Sequence, residues 1–366
     1  MFVTSVVTAI TGACAPVRTS ETAAISPASG LPVLTFLSEF TRPAGTNYPQ
    51  LSDSGRFGSL SGLAFDQASG DWLAVVDDRV GSRVAWLSIA VTAGRLDVTP
   101  RRMQALRAGS GVDPRIVTQA DLEAIVALPD GTFLVSEEGH VTKQGVWPPA
   151  ILQVRRDGLV TGVIHYPPEF QVSTDGKTGI RDNQGFEALT RTPRGRLIAG
   201  LEQPPIDRPI TSSERGGESR LIEFEPSGAT FRPGRQWRYD LSPTPRSARI
   251  PDVCSDGENG LVELLAITET LLLALERACL MTADRSAVFN PIQVFAVDIS
   301  GQDAIKTLLL DLSTVIPSLS PAMAGLDNFE GLAFGPRVNG ARTLLVVSDD
   351  NFRKTQFTSF LLFGMR

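Results

Sequence analysis

Five stretches of the chain carry acids at matched places in what otherwise reads as pairs of apolar strands. SGLAFDQASGDWLAVVDD (Ser61 to Asp78), DLEAIVALPDGTFLVSEE (Asp121 to Glu138), GFEALTRTPRGRLIAGLEQ (Gly185 to Gln203), LVELLAITETLLLALER (Leu261 to Arg277) and NFEGLAFGPRVNGARTLLVVSDDNF (Asn328 to Phe352) share one template. A short strand opens on Glu or its counterpart, a Gly, Pro or Asp turn follows, and a second strand closes on an acid. The opening positions are Ser61, Glu123, Glu187, Glu263 and Glu330; the closing positions are Asp77, Glu137, Glu202, Glu276 and Asp349. Carboxylates brought together at a partly desolvated point cannot all stay ionised without compensation. A hard cation supplies it, and calcium takes ~6 to 8 oxygen ligands. The expected ligands are Glu123, Glu137, Glu187, Glu202, Glu276, Glu330 and Asp349, with Asn183, Asn259 and Asn328 as further amide oxygens. Zinc fits poorly, because the chain has only His140 and His165 and no Cys/His ligand spacing. The competing reading is structural: each Glu accepts backbone N–H bonds from a neighbouring unit or pairs with arginine.

These acids meet only if the elements carrying them are arranged in a ring. In an antiparallel pair the start of one strand lies beside the end of the next, so the opening and closing positions of each unit share one end. Each unit continues into further strands, such as AILQVRRDG and GLVTGVIHY in the second, rich in β-branched and aromatic residues between Gly, Pro and Asp turns. The fourth unit has helix-favouring composition, but the repeat register predicts strands there too. The fifth unit stops at Arg366 after three strands, and an unused strand, LPVLTFLSEF (Leu31 to Phe40), precedes the first. The expected fold is all-β: a β-propeller of five four-stranded blades, with the N-terminal strand completing the last blade. A six-bladed ring is the structural alternative. All ten positions then fall on one rim around the axis, served by long loops of the kind that carry binding sites.

Basic groups sit near that rim. Arg181 lies in a loop entering an inner strand, while Arg79, Arg277 and Lys354 follow closing acids. Beside a cation site they suit a phosphate or carboxylate guest; their other reading is neutralisation of the acids.

Composition narrows the class. A net charge of -6 and a pI near 5.2 exclude the basic face that nucleic-acid binding needs. No long uncharged apolar run predicts a transmembrane helix. MFVTSVVTAITGAC ends in small residues and Cys14, followed by a Ser/Thr/Ala/Pro-rich segment. Residues 1–30 are therefore read as an export signal and linker with a lipoprotein-type cysteine, and 31–366 as the propeller. An exported, periplasmic or extracellular chain, monomeric and with a lipid anchor on Cys14, could oxidise Cys254 and Cys279 to a disulfide. Other hydrolase signatures are missing: GSLSG (Gly58 to Gly62) misplaces the serine of a nucleophile elbow by one position.

The segments NQGFEAL, DNFEGLAF and VVSDDNFRKTQFTSFLLF resemble the phytase-like family described as having esterase-like activity of phytase, and the resemblance runs from about Leu31 to the C-terminus. It implies an exported propeller that uses calcium to act on phosphoesters or related esters. Motif by motif it carries onto Glu187, Glu330, Asp349, Asp350 and Asn351. Asp350 and Asn351 thereby join the metal ligands, and Glu187, Glu330 and Asp349 become the catalytic candidates. Ser61 and the VEL around Glu263 depart from the family pattern. The expected activity is hydrolysis of a small phosphomonoester or related ester by cation-activated water. The alternative is a calcium-stabilised propeller that binds a ligand or protein partner without catalysis.

Overall fold

Five small antiparallel sheets form a closed ring in a computed structural model that describes residues 30–51, 56–78, 81–143, 145–245, 258–281, 288–321 and 326–366. Cys14, Arg79 and Cys254 lie outside these residues. Pro32–Arg366 form one compact unit.

From the axis outward, blade 1 comprises Leu60–Asp66, Asp71–Val76, Arg83–Thr92 and Arg95–Ala105. Blade 2 comprises Leu122–Ala127, Phe133–Glu137, Ala150–Val154 and Leu159–His165, with Arg107–Ala108 pairing in parallel on its outer edge. Blade 3 comprises Ala188–Arg191, Leu197–Gly200, Gly217–Ser227 and Thr230–Leu241. Blade 4 comprises Glu258–Ala266, Leu271–Met281, Ile292–Asp298 and Ile305–Asp311. Blade 5 comprises Asn328–Phe334, Thr343–Asp349, Phe357–Met365 and, outermost, the N-terminal Leu34–Pro43, whose Leu34 pairs with Met365. The five-bladed ring with N-terminal closure is therefore the observed architecture.

The cores explain why these sequences make strands. Alternate residues of a strand face opposite sides of its sheet, and here both sides are covered by neighbouring blades. Trp72, Ala74 and Val76 of blade 1 pack towards Leu345, Val347 and Phe360 of blade 5, while Leu73 and Val75 pack towards Ile125, Phe133 and Val135 of blade 2. The same division holds between blades 2 and 3, 3 and 4, and 4 and 5, giving five cores, one per interface. A strand buried on both faces is apolar throughout rather than alternating. That is why LLLALE in blade 4 has helix-like composition yet forms a strand.

Two glycines let the inner strands close up. A Cβ on Gly62 would lie 2.5 Å from the Glu123 carbonyl oxygen, and one on Gly331 would lie 2.8 Å from the Ser61 carbonyl oxygen. Blades 5, 1 and 2 thus approach one another through backbone at the level of the opening positions.

Candidate active site

The register of each inner hairpin fixes which side chains reach the axis. Leu63 pairs with Ala74, Ile125 with Val135, Leu189 with Ala199, Leu264 with Ala274 and Leu332 with Val346. Two residues before the first member of each pair stand Ser61, Glu123, Glu187, Val262 and Glu330. Three residues after the second stand Asp77, Glu138, Glu202, Arg277 and Asp349. Blades 1, 3 and 5 present the expected residues, while blades 2 and 4 differ by one position. A one-residue step along a strand moves a side chain to the other face.

Three expected rim acids are displaced in this way. Glu137 is buried beside His140 of its own blade, whose Nδ1 lies 3.3 Å from its Oε1, and it accepts from the Asp121 N–H at 2.7 Å. Glu276 lies between blades 3 and 4, where it accepts from the Tyr239 hydroxyl at 2.8 Å and the Asn259 side-chain amide at 2.8 Å and pairs with Lys306. Glu263 accepts from the Leu189 N–H of blade 3 at 3.2 Å and from the Leu264 N–H at 2.9 Å. It borders a cavity of about 310 Å³ at the far end of the axis. Glu263 and Glu276 thus link blades 3 and 4, as the structural reading anticipates, while Glu137 fastens the loops of its own blade.

At the mouth, carboxylates from blades 1 to 3 form two triplets. Asp77, Asp121 and Glu123 place ligand oxygens within 4.8 Å of one another, as do Glu138, Glu187 and Glu202. The second triplet is buried in full. Burial raises the pKa of Glu123, Glu138 and Glu187 well above the usual carboxylate value, and neighbouring carboxylates add to the rise. Glu202 is pushed up to about 7 by burial, with Arg277 opposing. Clustered oxygen donors with no nitrogen or sulfur among them, held where ionisation is costly without a counter-charge, fit a hard cation.

Blades 4 and 5 furnish a different half. The Arg277 guanidinium lies 2.5 Å from Glu330 and 4.0 Å from both Glu187 and Glu202. Asn328 donates to Glu330 at 2.8 Å. Asp349 accepts from the Ser59 hydroxyl at 2.6 Å and the Asn351 N–H at 2.7 Å, and burial followed by the Glu330 charge pushes its pKa up to about 8. Asp350 accepts from the Ser59 and Phe352 N–H groups and from Thr358. Ser59, Asn351 and Phe352 all have φ near +50°, a conformation uncommon for side-chain-bearing residues. The two aspartates clamp this corner with their hydrogen bonds.

The other sequence candidates lie apart from the axis or at its edge. Arg181 donates to the carbonyls of Pro204, Pro205 and Arg208, so its guanidinium fastens a loop. Lys354 and Asn351 are exposed. Cys279 is half-buried and has no disulfide partner among the described residues. Asp121 and Glu138 are the site residues that the sequence reading missed. The signal for Glu138 was present: aligning the second strands on Leu73, Leu134, Ile198, Leu273 and Leu345 puts Asp77, Glu138, Glu202, Arg277 and Asp349 in one column.

With this geometry in place, comparison with known proteins is decisive on one point. Residues 55–352 match the family described as Phytase-like, Esterase-like activity of phytase. The chain belongs to that family. This phytase-like chain is 32% identical over 138 residues to an uncharacterized secreted protein of Arthroderma benhamiae, covering 33% of this chain and 27% of that protein. The chain thus spans about a quarter of that relative's length. Among solved structures, an endo-arabinase from Bacteroides thetaiotaomicron aligns over 89% of this chain and 96% of its own with a TM-score of 0.47 at 10% identity. A gluconolactonase from Xanthomonas campestris aligns over 91% and 97% with a TM-score of 0.35 at 10% identity. Among the described residues of the phytase-like chain, no helix is long and apolar enough to cross a membrane.

Proposed function

We propose that the chain is an exported hydrolase of phosphomonoesters or related esters that works with calcium at its acidic mouth. The observation that carries this reading is the pair of carboxylate triplets facing the Arg277 guanidinium. Glu138, Glu187 and Glu202 would hold a calcium ion, and Asp77, Asp121 and Glu123 form a second oxygen set beside them. Bound calcium would neutralise the carboxylates and polarise substrate oxygens or water.

The chain's own groups divide the remaining work. Glu330 and Asn328 hold the Arg277 side chain, which is largely shielded from solvent, where an anionic substrate oxygen entering the mouth meets fixed positive charge. Asp349, with its pKa near 8, keeps a proton at neutral pH and is suited to deliver it to a leaving oxygen. Family membership supports the reaction class, and the secreted relative supports export. On the same reading Cys254 and Cys279 form a disulfide, checked by mass mapping of non-reduced peptides.

The decisive assay follows release of an aryl phosphate and an aryl ester with calcium and with chelator. Activity should require the cation, and Asp349→Asn should lower kcat by about 10²-fold or more. The second reading, a calcium-stabilised binding propeller, is favoured by the internal bonds that already occupy Glu330 and Asp349. It prevails if calcium binds and no phosphomonoester or short-chain ester turns over.

A further inference from the structure

At the opposite end of the blades from the mouth, a cleft of about 400 Å³ opens between blades 5 and 1, lined by Phe65, Trp72, Phe334, Pro336, Arg337 and Arg342, among others. Its floor is aromatic and fixed. Phe65 is 44% exposed and lies 4.7 Å, ring centre to ring centre, from Trp72. The Trp72 indole N–H donates to the Phe334 carbonyl at 2.9 Å, which sets the angle of that platform.

Its rim is cationic and held by a tight turn. Val338 pairs with Ala341 across Asn339 and Gly340, whose φ values of 50° and 78° are those of a two-residue hairpin with the twist that strands favour. Arg337 and Arg342 therefore flank the turn on facing strands. Like charges placed opposite one another destabilise a hairpin. Among the described residues neither guanidinium has a carboxylate partner: Arg337 donates to the Gly340 carbonyl at 2.8 Å, and Arg342 lies 5.7 Å from the Phe334 ring centre. Among the described residues, no carboxylate neutralises this facing arginine pair beside the exposed Phe65 ring.

We propose that this cleft is a binding site for a small aromatic anion, whose ring packs on the exposed face of Phe65, itself backed by the buried Trp72, while its charged group bridges Arg337 and Arg342. Guanidinium groups recognise planar carboxylates and phosphates by paired hydrogen bonds, and the cleft volume suits one or two fused rings. The site is separate from the acidic mouth and independent of the hydrolase reading.

The test is calorimetric titration of the full chain with 2-naphthoate, compared with the neutral 2-naphthylmethanol and with acetate. One equivalent of 2-naphthoate should bind, and both comparators should bind at least about tenfold more weakly, the factor expected for losing a charge-assisted bond or the ring contact. Arg337→Ala with Arg342→Ala should weaken naphthoate about tenfold while leaving 2-naphthylmethanol unchanged; Phe65→Ala should weaken both. No binding at millimolar naphthoate, or affinity indifferent to these substitutions, overturns the proposal. So does an Arg342→Ala protein that is less stable yet binds naphthoate as tightly, since the arginine would then serve packing on Phe334 alone.

Discussion

The two halves of the mouth use one backbone template for opposite electrostatic ends. In blades 1 to 3, the opening and closing positions with Asp121 give six carboxylates in two triplets. In blade 4 the same two positions hold Val262 and Arg277, and the arginine reaches across to Glu330 of blade 5. A ring of acids all round would repel both itself and an anionic substrate. Placing one guanidinium in the ring sets a positive charge beside Glu187, Glu202 and Glu330; on the proposed reading, three blades then serve a cation and the remaining side an anion.

Removing the guanidinium should have the largest effect. Arg277→Ala leaves Glu330 and its neighbours without their fixed counter-charge, and breaking a buried pair on one side costs about 3–5 kcal/mol. Denaturant unfolding in chelator should show that loss, and millimolar calcium should recover part of it. A variant as stable as the parent would mean that Arg277 does not balance the acids.

Calcium binding comes next. At a hundredfold excess over Kd it should stabilise by about 2.7 kcal/mol, reversed by chelation. Glu187→Gln with Glu202→Gln should abolish most of that gain. Glu276→Gln, placed between blades 3 and 4, should leave the calcium increment intact, so an equal loss in both would erase the distinction between mouth and interface acids.

The pH dependence sharpens the same contrast. Glu202 and Asp349 have folded pKa values of about 7 and 8, raised above their unfolded values. The folded state therefore holds more protons than the unfolded state between about pH 4 and 8, and cation-free stability should fall as pH rises through that window, by on the order of a few kcal/mol. Calcium should flatten the slope, because it binds the ionised carboxylates. Thermal melts at pH 5 and pH 8, with and without chelator, measure both; a cation-free protein more stable at pH 8 than at pH 5 contradicts the assignment.

The smallest effect belongs to the exposed edge. Lys354→Ala should change stability by less than about 0.5 kcal/mol, and in the aryl phosphate assay it should move KM by only a few-fold with kcat unchanged. A large fall in kcat would bring Lys354 into the chemistry.

Most of the fold was legible because its signals are redundant. Each blade repeats strand, turn and strand, and the three-stranded remainder at the C-terminus matches one spare strand at the N-terminus. The site was less legible where two candidate residues are adjacent: Glu137 and Glu138, Val262 and Glu263, Glu276 and Arg277. Choosing between neighbours needs strand register to within one residue, and shifts such as those between Leu122 and Ile125 or Leu261 and Glu263 are not announced by composition. Asp121 was missed because it precedes its strand, where only the folded loop brings it beside Asp77 and Glu123.

The clasp made by Leu34–Pro43 sets an order of events during synthesis. Leu34 finds its partner only when Met365 has been made, so the first strand waits, unpaired along its edge, while four blades assemble ahead of it. An unsatisfied strand edge invites intermolecular pairing, and such exposure lasts longest in slow, non-local folds. The waiting costs little in equilibrium terms, since closing a longer loop adds only about 0.6 kcal/mol per doubling of its length. The burden is one of timing: a chain released short of residues 357–365 would present an open ring and an uncovered edge together.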